Sequence, residues 1–135
     1  MRYIFILFLF ATALSWGQGV TQSEEEVRKL ISKSWLMDAA RQNGKAMMQM
    51  EGQKKNMMFV FREDNTFDFI ENGKQSAVGE WRLNPERKCI ALAIQQKISL
   101  LITSLNEQEF VAITPAQYTA PEGSQKMEVV FKVVN

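Results

Sequence analysis

From Trp35 onward, apolar and polar side chains alternate with a period of two, and turn-forming residues interrupt the alternation about every 8–12 residues. Phe67 and Phe69, for example, lie on one face of a predicted strand and Asp68 on the other. Asn72-Gly73 is the strongest hairpin signal, because both residues tolerate a positive φ. This pattern is typical of strands that bury one face and turn back on themselves, and it predicts an all-β domain.

The alternation predicts about eight strands, and short turns join most of them. The predicted strands span residues 35–40, 57–62, 66–71, 76–83, 88–94, 97–105, 109–114 and 127–134. The methionine-rich segment 45–55 is predicted as a long loop or ragged strand ends, and 115–125 as a polar loop. Such spacing favours an antiparallel barrel or sandwich. A meander without crossovers closes most simply as an up-and-down barrel, which leaves no strand edge unpaired.

One short N-terminal helix is predicted over 21–34. Thr21 or Ser23 can cap it, and three glutamates follow in the first turn, where the helix dipole favours negative charge. Its apolar stripe is narrow and consists of Val27, Leu30 and Ile31. We expect the helix to lie against the end or the side of the main body.

The first 17 residues have the pattern of a signal peptide. Arg2 precedes an apolar run from Ile4 to Leu14, which is too short for a bilayer core of about 30 Å that takes about 20 helical residues. Ser15 and Gly17 allow cleavage before Gln18, with an alternative cut after Ala13; the other interpretations are a membrane anchor or a buried helix. The pattern predicts residues 1–17 as the signal and 18–135 as one domain, periplasmic or secreted.

Composition excludes several classes of function. The chain has 16 basic and 15 acidic residues, and removing Arg2 with the leader leaves 15 of each. A neutral chain is a poor nucleic-acid binder and a poor ligand for anionic lipid. The sequence also has no histidine, which removes the commonest general base and zinc ligand. We therefore expect no enzyme activity, no cofactor, no nucleic-acid partner and no stable membrane anchor.

Cysteine use gives two further expectations. Cys89 is the single cysteine, so it cannot form an internal disulfide, and its apolar neighbours predict a buried thiol in a strand. No cysteine lies near the predicted cleavage site, which argues against attachment of a lipid there.

Three phrases together resemble a family. They are Trp35-Leu-Met after the helix, Phe59-Val-Phe-Arg-Glu-Asp-Asn-Thr-Phe67, and Gly79-Glu-Trp81-Arg-Leu83. Their order resembles that of the small lipocalin-like proteins, with a calycin-type barrel, exported by Bacteroidetes-type bacteria. The resemblance covers about residues 30–115, and it implies a barrel that binds a small apolar molecule in its mouth.

The chain departs from the family pattern at three places. Asn65 stands where the hairpin phrase usually has glycine, although asparagine also tolerates the turn. Lys33-Ser34-Trp35 replaces the Gly-x-Trp of lipocalins in the strict sense. Their last strand also carries an arginine that packs on the tryptophan, whereas Lys132, a poorer stacking cation, is what the last strand offers here. The resemblance therefore implies the barrel and not the ligand of such lipocalins.

The main candidate site is an aromatic interior. We expect six rings to line it: Trp35, Phe59, Phe61, Phe67, Phe69 and Trp81. A barrel of this size either holds one small ligand or is filled by its own side chains. The leading hypothesis is therefore a hydrophobic ligand site, and the alternative is a filled barrel that acts as an interaction or structural module at the cell envelope.

Two other groups of residues are candidate sites. Met47, Met48, Met50, Met57 and Met58 could bind Cu(I) through their thioethers, or form a flexible apolar lip at the barrel mouth. The charged runs 62–64 and 86–88 are most simply interpreted as solvated hairpin tips. A calcium site at 63–65 is disfavoured, because these consecutive residues lack the alternating spacing of the oxygen ligands in a calcium loop.

Overall fold

The structure is a computed structural model that describes residues 19–42, 45–49, 57–118 and 127–134, with only the backbone described at 45–49 and Gln117. It contains helices α1 (Glu24–Ile31) and α2 (Pro115–Tyr118). The strands are β1 (Ser34–Gln42), β2 (Lys45–Gln49), β3 (Met57–Phe61), β4 (Thr66–Glu71), β5 (Lys74–Asn84), β6 (Cys89–Ile94), β7 (Lys97–Leu105), β8 (Glu109–Ile113) and β9 (Met127–Val133). The predicted signal peptide lies outside the described residues.

Eight of these strands form a closed antiparallel barrel. Strands β3 to β9 pair in sequence order, and β1 closes the ring by pairing with both β3 and β9. Strand β2 is an additional short strand: β3 pairs with β1 at Ser34–Leu36, whereas β2 pairs with β1 at Ala39–Gln42. The up-and-down barrel with one short N-terminal helix is thus confirmed. The sequence predicts a long loop or ragged strand ends over 45–55. The structure has β2 at Lys45–Gln49, and residues 50–56 lie outside the described residues.

Helix α1 is shorter than predicted, and it closes one end of the barrel. Ser23 caps it: its Oγ accepts a hydrogen bond from the Glu26 N–H at 3.3 Å, and Glu26 Oε1 accepts one from the Ser23 N–H at 3.0 Å. The helix ends at Ile31, since β1 begins at Ser34. Val27 and Ile31 are fully buried in the barrel core. A helix covering a barrel end buries apolar side chains that would otherwise face water.

The hairpin turns alternate between the two ends of the barrel. We call the end covered by α1, with the turns at 62–65, 85–88 and 106–108, the closed end. The opposite end, with the turns Asn72-Gly73 and Gln95-Gln96, is the open end. Asn72 and Gly73 have φ of 53° and 78°, which confirms the predicted hairpin.

Gly79 on β5 faces inward opposite Phe67 on β4. A side chain at this glycine would overlap the Phe67 ring and the carbonyl oxygen of Ala93. The absence of a Cβ at Gly79 therefore leaves room for the Phe67 ring.

Helix α2 covers part of the outer surface. The predicted loop 115–125 begins with this helical turn instead, and 119–125 lie outside the described residues. Tyr118 packs near Cys89, Leu101 and Ile113, and its hydroxyl donates a hydrogen bond to the Arg87 carbonyl at 3.2 Å. Cys89 is buried, as predicted, but on the outer face of β6 beneath this cover. Burial raises the pKa of the Cys89 thiol.

Candidate functional site in the barrel interior

All six predicted aromatic residues belong to the barrel core. Trp35, Phe67 and Trp81 have no exposed surface, and Phe59 and Phe61 are 3% exposed. Phe69 differs from these five because it is half-buried at the margin of the core. The period-two alternation explains this result, since it places every second side chain of a strand inside the barrel.

Phe59 is the centre of the aromatic cluster. Its ring centroid lies 5.5 Å from that of Phe61, 5.4 Å from Phe67 and 4.9 Å from Phe69. It also lies 5.1 Å from Phe131. These separations are those of favourable edge-on and offset ring pairs. The rings therefore pack on one another and fill the middle of the barrel.

The sequence prediction missed two members of this cluster, Phe110 on β8 and Phe131 on β9. Their rings stack with centroids 4.8 Å apart, and Phe110 also packs edge-on against Trp35 at 5.2 Å. Both are inward positions of their strands, so the alternation that identified the other six also identifies these two. The family-like phrases lie on the earlier strands and contain neither of these two rings.

At the closed end an arginine lies over a tryptophan. The guanidinium carbon of Arg28, on α1, is 5.8 Å from the centre of the Trp81 ring, which is a cation–π contact. Arg28 also donates hydrogen bonds to the Asn65 side chain at 3.1 Å and the Glu63 carbonyl at 3.1 Å. The helix is thereby tied to the β3–β4 turn.

This arginine–tryptophan pair differs from the one that the family resemblance suggested. It uses the helix and β5, whereas Lys132 on the last strand lies 3.8 Å from Asp38 in an exposed ion pair. The indole N–H of Trp35 donates to the Ile31 carbonyl at 2.9 Å, which joins β1 to the helix. Both tryptophans thus help to attach α1 to the barrel.

The open end has more half-buried lining than the closed end, where Leu83 and Val133 are inward-facing and half-buried. Five inward-facing apolar side chains at the open end pack against the core but stay only half-buried: Met37, Phe69, Ile94, Leu100 and Val129. We call this group the mouth. Phe59 is the cross-strand partner of Phe69, with ring centroids 4.9 Å apart, and since it is only 3% exposed we call it the floor of the mouth. None of these five side chains is ionisable, and all five offer a ligand hydrophobic contact.

The charged run 62–64, which is predicted as a solvated hairpin tip, lies on the outer surface of the barrel. Arg62 and Asp68 form a bidentate ion pair, in which Nη1 donates to Oδ2 at 2.8 Å and Nη2 donates to Oδ1 at 3.2 Å. This pair anchors the tip to β4. The Arg62 guanidinium lowers the pKa of Asp68. Among the residues that the structure describes, no group of three or more cysteine, aspartate and glutamate side chains could hold a metal ion.

The methionine group is described only in part. Met57 and Met58 are half-buried neighbours on β3, so their side chains point to opposite faces of the sheet. The side chains of Met47 and Met48, and the whole of Met50, lie outside the described residues. The copper hypothesis therefore remains a prediction from the sequence.

Comparisons with known proteins found no matching family model, no matching curated protein and no matching solved structure. The closed eight-stranded antiparallel barrel with its short helix is compatible with a lipocalin-like fold. Within the described part of the chain, no helix is long and apolar enough to cross a membrane.

Proposed function

We propose that this protein is an exported, non-enzymatic barrel that binds a small hydrophobic molecule at its open end. One observation carries the proposal: the mouth has five inward-facing half-buried apolar side chains, whereas at the end that α1 covers the strands have two, Leu83 and Val133. When an apolar ligand covers inward-facing apolar side chains that are partly exposed, the free energy falls, because apolar surface is removed from water. Ligand sites are commonly found in the mouths of β-barrels.

The sequence supports the other parts of this proposal. The apolar leader and its small residues at the predicted cleavage site favour export. The absence of histidine from the chain and the apolar lining of the mouth favour binding without catalysis. No charged group of the mouth would select a charged ligand.

In the proposed site, the six predicted ligand-binding residues have three different roles. Phe69 is a wall of the mouth and can contact a ligand directly, and its buried cross-strand partner Phe59 is the floor. The other four, Trp35, Phe61, Phe67 and Trp81, lie deeper and support that floor. The proposed ligand is therefore one that rests on the aromatic cluster rather than one that enters it.

A neutral fluorescent probe, N-phenyl-1-naphthylamine, tests the proposal by titration, with palmitate and retinol as competitors. Phe69→Ala should weaken probe binding by about 5–30-fold, because the wall loses about 1–2 kcal/mol of hydrophobic contact. Val78→Ala is the matched control, since Val78 lies on the neighbouring strand but faces outward and is 51% exposed. No saturable binding by the unmodified protein, or equal affinity of both variants, would overturn the proposal.

The packed rings also support a second function, a rigid module that contacts other proteins at the cell envelope through its outer faces. The centroid separations of 4.8–5.5 Å around Phe59 and Phe110 show that much of the interior is occupied by the protein itself. A stable protein that takes up none of the three apolar molecules would favour this second function.

A further inference from the structure

A groove of about 670 Å³ runs along the outer surface of β5, β6 and β7. Six side chains define what we call the β5–β7 groove: Val78, Glu80, Arg82, Ala91, Ala93 and Ile98. These residues face away from the core, because the intervening Trp81 and Leu92 face inward and are buried. The groove is therefore separated from the mouth by the wall of the barrel.

The groove has a small-residue floor and apolar walls. Ala93 lies between Glu80 on one neighbouring strand and Ile98 on the other, in one cross-strand row. Ala91 continues the floor in the next row, opposite Arg82. Val78 and Ile98 are each 51% exposed, the highest values among the large apolar side chains of the described residues. Binding of a partner over these two exposed apolar side chains and the shallow floor beside them would lower the free energy, because apolar surface would leave water.

The charges of the groove are arranged so that the surface complements itself. Glu80 and Arg82 lie two residues apart on the same face, with Oε2 and Nη2 separated by 3.9 Å. Their side chains are 65% and 83% exposed, so the pair contributes little to the stability of one barrel. A second copy related by a two-fold axis can place its Arg82 against Glu80 and its Glu80 against Arg82. The chain's formal net charge of +1 does not oppose such self-association.

The turn at the rim of the groove carries a conformational cost. Gln95 and Gln96 have φ of 53° and 67°, a region that asparagine and glycine occupy more easily. The Asn72-Gly73 turn at the same end uses those easier residues. Glutamine side chains at this costly position place amide donors and acceptors at the rim, and such groups can pair with their own copies.

We infer that the β5–β7 groove is the interface of a two-fold symmetric homodimer in which two barrels pack face to face. Val78 and Ile98 cover the alanine floor of the other copy, and Glu80 and Arg82 pair across the axis. The mouth is not part of this interface. Failure of dimerisation and failure of ligand binding are therefore separate results.

Sedimentation velocity of the chain from Gln18 onward, which contains every described helix and strand, tests this inference between about 1 and 500 µM. The unmodified protein should reach twice the monomer mass within this range. Glu80→Arg should raise the dissociation constant at least about tenfold, because it opposes four positive charges across the axis. Arg82→Glu should do the same with four negative charges.

The two single variants also provide a rescue. A mixture of Glu80→Arg and Arg82→Glu should form a heterodimer, and the double swap in one chain should restore the homodimer. Val134→Glu is the matched control, because Val134 is 42% exposed but lies near the closed end. Circular dichroism verifies that each variant is folded. A protein that stays monomeric at the highest concentration, or a dimer that both single reversals leave intact, would overturn the inference.

Discussion

The two ends of the barrel use similar apolar side chains in different ways. At the closed end, α1 places Val27 and Ile31 in the core, and Arg28 ties the helix to Trp81 and Asn65. At the open end, the five apolar side chains of the mouth have no helix above them among the described residues and stay half-buried. Composition therefore does not distinguish the ends; the covering helix does.

Under the proposed function, this difference separates the residues that stabilise the barrel from those that bind the ligand. A fully buried ring contributes to stability through dispersion and the removal of apolar area from water. A half-buried side chain at the mouth contributes only part of this stabilisation in the free protein. In the proposed function, contact with a ligand removes the remaining apolar area from water. We therefore expect substitutions near the aromatic cluster to change stability and substitutions at the mouth to change binding.

The largest effect is expected for Phe59→Ala, which should lower the free energy of unfolding by about 3–5 kcal/mol. Phe59 contacts three of the other predicted rings as well as Phe110 and Phe131, so its removal leaves a cavity in the middle of the core. Phe69→Ala should cost clearly less, because part of that side chain already faces solvent. Urea denaturation measures both, and equal losses would contradict the proposed difference between core and mouth.

A smaller effect is expected for Ser23→Ala at the closed end. Loss of the cap on α1 should lower the free energy of unfolding by about 1 kcal/mol, because the Glu26 N–H loses its acceptor. Ser23→Asp is the matched control, since aspartate also caps helices well. Affinity for N-phenyl-1-naphthylamine at the mouth should not change. A change in affinity larger than the change in stability would show that the two ends are coupled.

The smallest effect concerns the outer surface between the two ends, where Arg62 lowers the pKa of Asp68. The stabilisation from this pair is present above the ordinary aspartate pKa of about 3.9 and is lost as the pH falls through the lower pKa of the folded state. Asp68→Asn cannot titrate, so the stability difference between the two proteins should narrow below about pH 4. Urea denaturation as a function of pH measures it, and a constant difference from neutral to acidic pH would contradict the assignment.

The sequence by itself determined the barrel and the inward faces of its strands. Alternation places Phe67, Phe69 and Trp81 inside whatever the neighbouring strands are, because the pleat has a period of two. Asn72-Gly73 defines its hairpin, since its residues suit the backbone angles of that turn. The Ser23 cap is equally local, as it depends on residues three apart.

Tertiary structure decided what the sequence left open. The predicted helix over 21–34 ends at Ile31, because β1 begins at Ser34 to pair with β3 and β9. The Arg28–Trp81 contact joins residues far apart in the chain, and no local pattern predicts it. Whether inward rings enclose a pocket or touch one another depends on strand tilt and closure, which a single strand does not encode. Barrel closure brings Phe59, Phe110 and Phe131 together, and it leaves the five inward-facing side chains of the mouth half-buried.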